Sequence, residues 1–428
     1  MKTKLTKLEK QWILYDVGNS AFILLVSTII PIYFDYLADL ANVPAVTYLA
    51  YWGYAASIST LIVALLGPVL GTMADSRNFK KPLFLTSILI GCMCCAFLGF
   101  FNHWLVFLGV FIVAKIGYST SLIFYDSMLT DISTPEHMDE VSSQGYAWGY
   151  IGSCIPFVIG LFFVLGYESI GISFSTAMII TFLLIAAWWL LLSLPLINNY
   201  HQIHYVSENT HVVTNSFHRL GETFKHISKE KNVLWFLIAF FFYIDGVYTI
   251  IEMATAYGEA LGLESSGLLI ALLVTQIVAF PCAIIFGRLA QRYSARNLIT
   301  ICIVAYLGIA LFALQLDTQW EFWFLAVCVG MFQGGIQALS RSYFAKIIPP
   351  EKSGEYFGIM DICGKGASFL GTTLVSVVSQ ISGSINIGVG SITVIFAIGL
   401  VLFIKASSMN KETQTTSDSL SENTIIDR

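Results

Sequence analysis

Charged side chains fall inside long apolar segments of this sequence, where a membrane helix would bury them. At a rise of about 1.5 Å per residue, Lys115 lies about 16 Å and Asp245 about 18 Å along their segments, near the middle of a bilayer. Glu252 follows Asp245 by one heptad, and Asp361 and Lys365 are four residues apart. A buried ammonium group can bind a carboxylate, whereas a desolvated carboxylate can bind an amine or carry a proton. The alternative is that these groups pair permanently and hold helices together.

Polar residues extend these charges into stripes along helix faces, because positions three, four and seven apart share a face. The stripes lie on the first, fourth, seventh and tenth apolar segments, whereas the third, sixth, ninth and twelfth carry no ionisable residue in their apolar part. We expect the first set to line a water-filled path and the second to face lipid. The predicted substrate and ion path consists of Asp16, Asn19, Ser20, Lys115, Ser119, Asp245, Thr249, Glu252, Gln333, Gln337, Asp361 and Lys365.

Twelve apolar segments account for most of the 428 residues, and each is long enough to cross a bilayer. They cover 12–34, 47–73, 82–101, 104–125, 142–166, 172–195, 233–257, 266–288, 297–316, 320–345, 355–380 and 386–405. Of the 22 Lys and Arg residues, 20 lie at the termini or in even-numbered connections, and the others are Lys115 and Lys365. This asymmetry predicts a multi-pass, all-α membrane protein with both termini in the cytoplasm.

The composition disfavours several other classes of protein. Hydrophobic residues make up 56% of the chain and charged residues only 11%, and no basic patch faces outward, so nucleic acid is not expected as a partner. The sequence contains no nucleophile motif, phosphate loop or paired metal ligands, so we predict no enzyme, cofactor or metal site. We interpret the eight cysteines as packing residues, and His201, His204 and His211 as part of a flexible polar loop. Because no small-residue cleavage site follows MKTKLTKLEK, the first segment is predicted to be a retained helix.

The longest connection divides the chain into two six-span halves. The predicted units are residues 1–195, a cytoplasmic linker at 196–232 with an amphipathic surface helix, residues 233–405, and a disordered tail at 406–428. Two pairs of segments repeat between the halves. GTMADSRNFKK at 71–81 aligns with GRLAQRYSARN at 287–297 at an offset of 216, and DISTPE at 131–136 aligns with KIIPPE at 346–351 at an offset of 215. Two repeats of six spans around a central site are the architecture of a secondary transporter.

The repeat alignment also predicts a gate. At an offset of 215, Asp126 corresponds to Arg341, so opposite charges occupy equivalent cytoplasmic ends of the fourth and tenth spans. Our hypothesis is an ion pair that forms when the cytoplasmic side is closed and breaks when it opens. The alternative is that each group caps its own helix end or faces the cytosol.

The segment GTMADSRNFKK resembles the signature that the major facilitator superfamily carries between its second and third spans. Ser76 takes the usual basic position, and the inner glycine of the pattern is missing. The resemblance implies two pseudo-symmetric six-helix bundles, with Asp75 near the cytoplasmic end of the eleventh span, where a helix N-terminus favours a carboxylate. The signature loops contribute Gly71, Asp75, Arg77, Lys80, Gly287, Arg292 and Arg296.

Longer segments resemble the vacuole effluxer-like branch of that superfamily. They are YDVGNSAF at 15–22, FYDSMLTDISTPEHMDEVSSQGYAWGYIG at 124–152, YIDGVYTIIEMATAYG at 243–258, and QGGIQALSRSYFAKIIPPEKSGEYFGIMDICGKGASFLG at 333–371. The residues that carry this resemblance are Asp16, Asn19, Ser20, Asp126, Asp131, Asp245, Gly246, Gln333, Gln337, Arg341, Ser342 and Lys365. The best-known activity of the branch is export of amino acids from a vacuole. Because its loops are short and no targeting extension is evident, we expect this chain to resemble the prokaryotic plasma-membrane members of the branch.

The sequence therefore predicts a secondary transporter for small solutes, with amino acids as the leading substrate class. Transport is expected to be coupled to protons, and the alternative is facilitated diffusion. Lys115 would meet the carboxylate of an amino acid, and Asp245 or Glu252 its amine. The alternatives are efflux of hydrophobic or cationic compounds, which Lys115 disfavours, and a non-transporting membrane sensor on the same fold. Partners are limited to the substrate, the lipid bilayer and protons, with no obligate protein partner.

Overall fold

Long helices form nearly the whole of the protein. The computed structural model describes residues 5–206, 221–223 and 225–406, without the side chains of 45–50, 255–256, 259–260, 265–266, 269 and 365–369. No strand occurs among these residues; Ser76 and Val206 form an isolated parallel bridge. The helices are α1 (Lys7–Ser27), α2 (Ile29–Leu40), α3 (Ala45–Ala74), α4 (Lys80–Phe97), α5 (Trp104–Ser127), α6 (Leu129–Ile132), α7 (Met138–Ile170), α8 (Phe174–Asn199), α9 (Lys231–Ala260), α10 (Ser265–Leu289), α11 (Ala295–Phe312), α12 (Gln319–Ile347), α13 (Ser353–Ser382), α14 (Ile385–Gly390) and α15 (392–406).

These helices make twelve membrane spans, and the predicted all-α membrane fold is confirmed. Eleven stretches of the described residues are long and apolar enough to cross a bilayer, and α13, with its undescribed side chains at 365–369, supplies the twelfth. The pairs α1 with α2, α5 with α6 and α14 with α15 each form one span.

Local signals define several helix ends. Thr6 with Glu9 and Thr318 with Glu321 form capping boxes at the starts of α1 and α12, and Gly171 ends α7 at a φ of 77°.

The predicted linker differs from the observed connection at its ends. Helix α8 continues through Pro195 to Asn199, and α9 begins at Lys231, so the helices flank the region 200–230 instead of 196–232. Residues 221–223 and 225–227 are helical, but most of the predicted amphipathic helix lies outside the described residues, as does the tail from 407 to 428.

The two halves meet along two pairs of helices that correspond in the repeats. Helix α3 packs against α13, and α10 packs against α7. Glycines allow the close approach at both crossings: a Cβ on Gly71 would lie 2.1 Å from the Gly354 carbonyl oxygen, and one on Gly287 would lie 2.6 Å from the Ser143 Cβ. Helices α4, α8, α11 and α15 present exposed apolar residues outward, such as Met93, as expected of lipid-facing spans.

Most of the described Lys and Arg residues lie at one end of the bundles, in the connections there and in the helix turns beside them. We call this end the basic face; it includes the connections at 75–79, 133–137, 200–206, 290–294 and 348–352. The charged contacts between the halves gather here.

Candidate functional site

Arg341 extends from α12 of the second half into a pocket of the first half. Its Nη1 donates to Asp126 Oδ1 at 3.0 Å, and its Nη2 lies 3.5 Å from Asp16 Oδ2. Its Nε donates to Ser142 Oγ at 2.9 Å and its Nη2 to the Ser142 carbonyl at 3.0 Å. Arg341 is only 4% exposed. The geometry brings together the two residues of the predicted gate, and its opening and closing stays a prediction.

Three aromatic rings complete the surroundings of this guanidinium. Its Cζ lies 4.6 Å from the ring centre of Trp12, 5.4 Å from that of Tyr125 and 4.3 Å from that of Tyr146. Such contacts stabilise a desolvated cation through the ring quadrupole. These rings were not predicted from the sequence. The available signal was their position, since Trp12 is one helical turn from Asp16 and Tyr125 adjoins Asp126.

A second set of contacts joins α7 to the second half beside Arg341. Asp139 accepts hydrogen bonds from Ser342 Oγ and Lys346 Nζ, each at 2.6 Å, and Gln291 donates to Glu140. Sequence reasoning did not select Asp139. The offset of 215 nevertheless aligns it with Gly354, which lies where α3 crosses α13, the counterpart of the crossing of α10 and α7.

The signature loop after α3 binds the start of α13. Asp75 accepts hydrogen bonds from the backbone N–H groups of Gly354 at 2.8 Å and Glu355 at 2.9 Å, a favourable position for a carboxylate at a helix N-terminus. Burial raises the pKa of Asp75 to about 7, although Lys80 and the two N–H groups favour its charged form. Lys80 is entirely buried and donates to Ser353 Oγ at 2.9 Å.

Asp131 connects this loop to the segment that follows α8. It lies 3.6 Å from Lys80 Nζ through Oδ2, accepts a hydrogen bond from Tyr200, and receives the backbone N–H of His204 at 2.8 Å. The His204 ring also contacts Asp131, and this hydrogen bond raises the pKa of His204. The flexible-loop interpretation is therefore wrong for 200–206, because its backbone and side chains bind α6 and the loop after α3.

The remaining signature residues lie apart from these buried contacts. Arg77 is exposed and its guanidinium lies 5.4 Å from the ring centre of Tyr205. Gly287 forms the α10–α7 crossing, whereas Arg292 is exposed and Arg296 half-buried in the basic face. All eight cysteines are free thiols.

Lys115 and Glu252 belong to opposite halves. The Lys115 ammonium lies close enough to act electrostatically on the Glu252 carboxylate, and Glu252 is exposed while Lys115 is half-buried. Asp361 is half-buried on α13, with a carboxylate oxygen 4.0 Å from where a Cβ on Gly67 would lie. The side chain of Lys365 lies outside the described residues, so its predicted pairing with Asp361 stays a prediction.

Asp245 contacts a helix of its own half. It is fully buried, and its Oδ1 accepts a hydrogen bond from the backbone N–H of Gly371 in α13 at 2.9 Å, with Thr249 Oγ1 at 3.5 Å. Its Oδ2 accepts no hydrogen bond from the described residues. Sequence reasoning did not find Gly371, because its backbone group carries no residue-specific signal.

The other predicted path residues occupy three places. Thr249 and Gln333 line a mostly apolar cavity of about 100 Å³ inside the second half, and Gln337 is half-buried further along α12. Asn19 donates to Asp16 Oδ1 at 3.4 Å beside Arg341. Ser20 lies at the α1–α7 contact near Gly149, and Ser119 is buried on α5.

Two related six-span bundles that pack through α3 with α13 and α7 with α10 define a secondary transporter of the major facilitator type. Residues 42–416 match the family described as "Vacuole effluxer Atg22 like", and the chain belongs to this family. It is 43% identical over 407 residues to the "Uncharacterized MFS-type transporter YxiO" of Bacillus subtilis (strain 168), covering 94% of this chain and 95% of that protein.

More distant relatives agree with this assignment. The Autophagy-related protein 22 of Saccharomyces cerevisiae (strain ATCC 204508 / S288c) is 33% identical over 173 residues, covering 38% of this chain and 33% of that protein. The fold is similar to that of the transporter FucP in its outward conformation, with a TM-score of 0.70, 14% identity and coverage of 94% and 97%. The proton:xylose symporter XylE gives a TM-score of 0.71 at 11% identity, with coverage of 93% and 95%.

Proposed function

We propose that this protein transports amino acids across the plasma membrane by alternating access, coupled to protons, with its basic face and both termini in the cytoplasm. The concentration of Lys and Arg on one side supports this orientation. The family description, which names a vacuole effluxer, supports the transport of a solute across a membrane.

The observation that carries the proposal is the placement of Lys115 and Glu252 on opposite halves, where each acts on the charge of the other. An amino acid has both opposite charges on one carbon. It can therefore bind between the two residues, with its carboxylate against Lys115 and its ammonium against Glu252. Bound in this way, it would link the two halves. A charge inside a membrane protein is costly unless it is paired, which favours a ligand that satisfies both groups together.

Contacts across the basic face support a state that is closed on this side. Arg341, Lys346 and Asp75 each bind groups of the opposite half there. Rocking of the two halves would part these contacts and open the path to the cytoplasm. The roles of Asp126 and Arg341 as a gate belong to this proposal.

Asp245 and Glu252 are the proposed proton carriers. Asp245 is buried with one carboxylate oxygen that accepts no hydrogen bond from the described residues, an arrangement in which protonation removes a desolvated charge. Glu252 is exposed and acts electrostatically with Lys115, so substrate binding at Lys115 would alter the protonation of Glu252.

The test is counterflow of labelled neutral amino acids into liposomes that contain the purified protein, with and without a pH gradient. Lys115→Met should abolish counterflow, whereas Lys115→Arg, which keeps the charge, should retain part of it. Asp245→Asn should retain counterflow but lose its response to the gradient, whereas Glu252→Gln, which removes the charge that faces the substrate ammonium, should also lower counterflow itself. Folded protein that moves no amino acid would refute the substrate class, and unchanged counterflow in Lys115→Met would refute the role of Lys115.

A further inference from the structure

The pocket around Arg341 is built entirely from the half to which Arg341 does not belong. Asp16 and Trp12 come from α1, Tyr125 and Asp126 from α5, and Ser142 with Tyr146 from α7. We call these six residues the cage. Arg341 occupies the cage as a ligand would, because it enters from α12 and makes all these contacts through its guanidinium.

The cage contains two carboxylates, whereas Arg341 supplies a single positive charge. Asp126 accepts a hydrogen bond from Arg341, but Asp16 Oδ2 accepts none from the part of the chain that the structure describes, and the Asp16 side chain is only 8% exposed. Two desolvated carboxylates without a cation are strongly unfavourable. Once Arg341 withdraws, a cation that enters the cage would relieve this repulsion, in competition with protonation of one carboxylate.

The shape of the cage matches a planar cation. The Arg341 Cζ lies 4.3 Å from the Tyr146 ring centre and 4.6 Å from that of Trp12, while Ser142 accepts hydrogen bonds from Nε and Nη2. A Cβ on Gly145 would lie 2.7 Å from Asp16 Oδ2, so the backbone of α7 also approaches the cage closely. Planar donors between rings and carboxylates are the recognition pattern of guanidinium groups.

We propose that the cage is a binding site for organic cations with an alkylguanidinium group, which enter from the basic face after Arg341 has withdrawn. This inference rests on the proposed alternating access, because the separation of the halves removes Arg341 from α1, α5 and α7 together. A cation bound in the cage occupies the place of Arg341 and prevents the halves from closing on this side. Arg341 and the external cation are thus competitors for one site.

The first test uses the purified full chain with Arg341→Ala, titrated with methylguanidinium chloride by calorimetry and by thermal unfolding. Saturable binding with an increase in the melting temperature is expected. Asp126→Asn or Tyr146→Leu in the same background should weaken binding by about ten-fold, since each removes a charge-assisted or cation–π contact. Equal concentrations of NaCl control for ionic strength.

Lys346→Ala is the matched control. This substitution removes another cation of the same interface, the partner of Asp139. Among the described residues no aromatic ring contacts the Lys346 ammonium, so no cage surrounds it. Arg341 still fills the cage in this variant. Methylguanidinium should bind Lys346→Ala much more weakly than Arg341→Ala, because Arg341 still competes for the cage. No binding to folded Arg341→Ala, or equal binding to both variants, would overturn the proposal. Neither result depends on amino-acid transport, so failure of the proposed substrate class is recognised separately.

Since Arg341→Ala removes a gate contact and can fail to fold, a second measurement keeps Arg341 in place. Ser353 is fully buried at the interface of the halves, so the alkylation rate of Ser353→Cys reports opening of the basic face. The alkylation of the native cysteines, measured on the parent chain, is subtracted. Methylguanidinium should accelerate this alkylation several-fold over equal NaCl. An unchanged rate at saturating methylguanidinium contradicts the competition with Arg341.

Discussion

Arg341 donates a 3.0 Å hydrogen bond to Asp126, and the two residues are 215 positions apart, the offset at which the second pair of repeated segments aligns. Each residue is therefore the counterpart of the other in the opposite half. Counterparts near the axis that relates two halves meet when that end of the molecule closes. A pair of opposite charges at these positions stabilises the closed arrangement.

A short thiol cross-linker should join Asp126→Cys to Arg341→Cys when the basic face is closed, and the cross-linked protein should not transport. Conditions that open this face should lower the yield several-fold, because α5 and α12 belong to halves that separate. The matched control is Tyr243→Cys with Ser340→Cys, whose parent hydroxyls lie 2.7 Å apart within the second half. This pair should cross-link equally in every state. Equal yields from both pairs under all conditions would refute the gate.

Gly71→Ala should destabilise the closed protein, because its Cβ would lie 2.1 Å from the Gly354 carbonyl oxygen, a backbone atom that cannot move alone. The expected cost is about 1–3 kcal/mol, the usual range for overpacking. Gly53→Ala is the control, since its Cβ meets nothing within 4 Å. Thermal unfolding in detergent measures both variants. A melting temperature of Gly71→Ala that matches Gly53→Ala would show that α3 and α13 can separate without loss.

Lys80→Met should be strongly destabilising. Lys80 is fully buried between Asp75 at 3.9 Å and Asp131 at 3.6 Å, so its removal leaves two buried carboxylates without their cation. Breaking a buried pair in this way costs about 3–5 kcal/mol. The neighbouring Lys81 is half-buried, and Lys81→Met should change the unfolding free energy by less than about 0.5 kcal/mol. Chemical denaturation of both variants distinguishes them, and similar midpoints would contradict the buried role of Lys80.

Stability should fall with rising pH through the titration of His204. The hydrogen bond to Asp131 raises the pKa of His204, Glu351 raises it further, and burial and Lys80 oppose the shift. Since the folded pKa exceeds the unfolded value of about 6.5, the stabilisation is complete below about pH 6.5 and is lost as pH rises through the folded pKa. The effect is less than about 1 kcal/mol because the ring is one-third exposed.

Thermal unfolding between pH 5 and 8.5 tests this prediction. His204→Ala should flatten the pH dependence above pH 6.5, whereas His201→Ala, an exposed residue of the same segment, should keep it. A parent-like slope in His204→Ala would show that other groups cause the pH dependence.

The membrane fold and its division into spans could be predicted without any tertiary contact. Apolar length and the sorting of Lys and Arg follow from the cost of placing charges and unsatisfied backbone groups in lipid, a constraint that acts along the chain and needs no tertiary contact. Repeated segments at two similar offsets predicted the related halves. They also selected Asp126 and Arg341 as counterparts.

The partner of each buried charge, in contrast, could not be predicted from the sequence, because it depends on the packing of the helices. Lys80 donates a hydrogen bond to Ser353, 273 residues away. Asp245 accepts one from the backbone N–H of Gly371, a group that almost every residue has and that no sequence pattern marks. Trp12, Tyr125 and Tyr146 are ordinary aromatic residues of three separate helices until packing gathers them around one guanidinium. Such partners depend on how separate helices pack against each other, within a half and between the halves, and periodicity within a single helix contains no information about that arrangement.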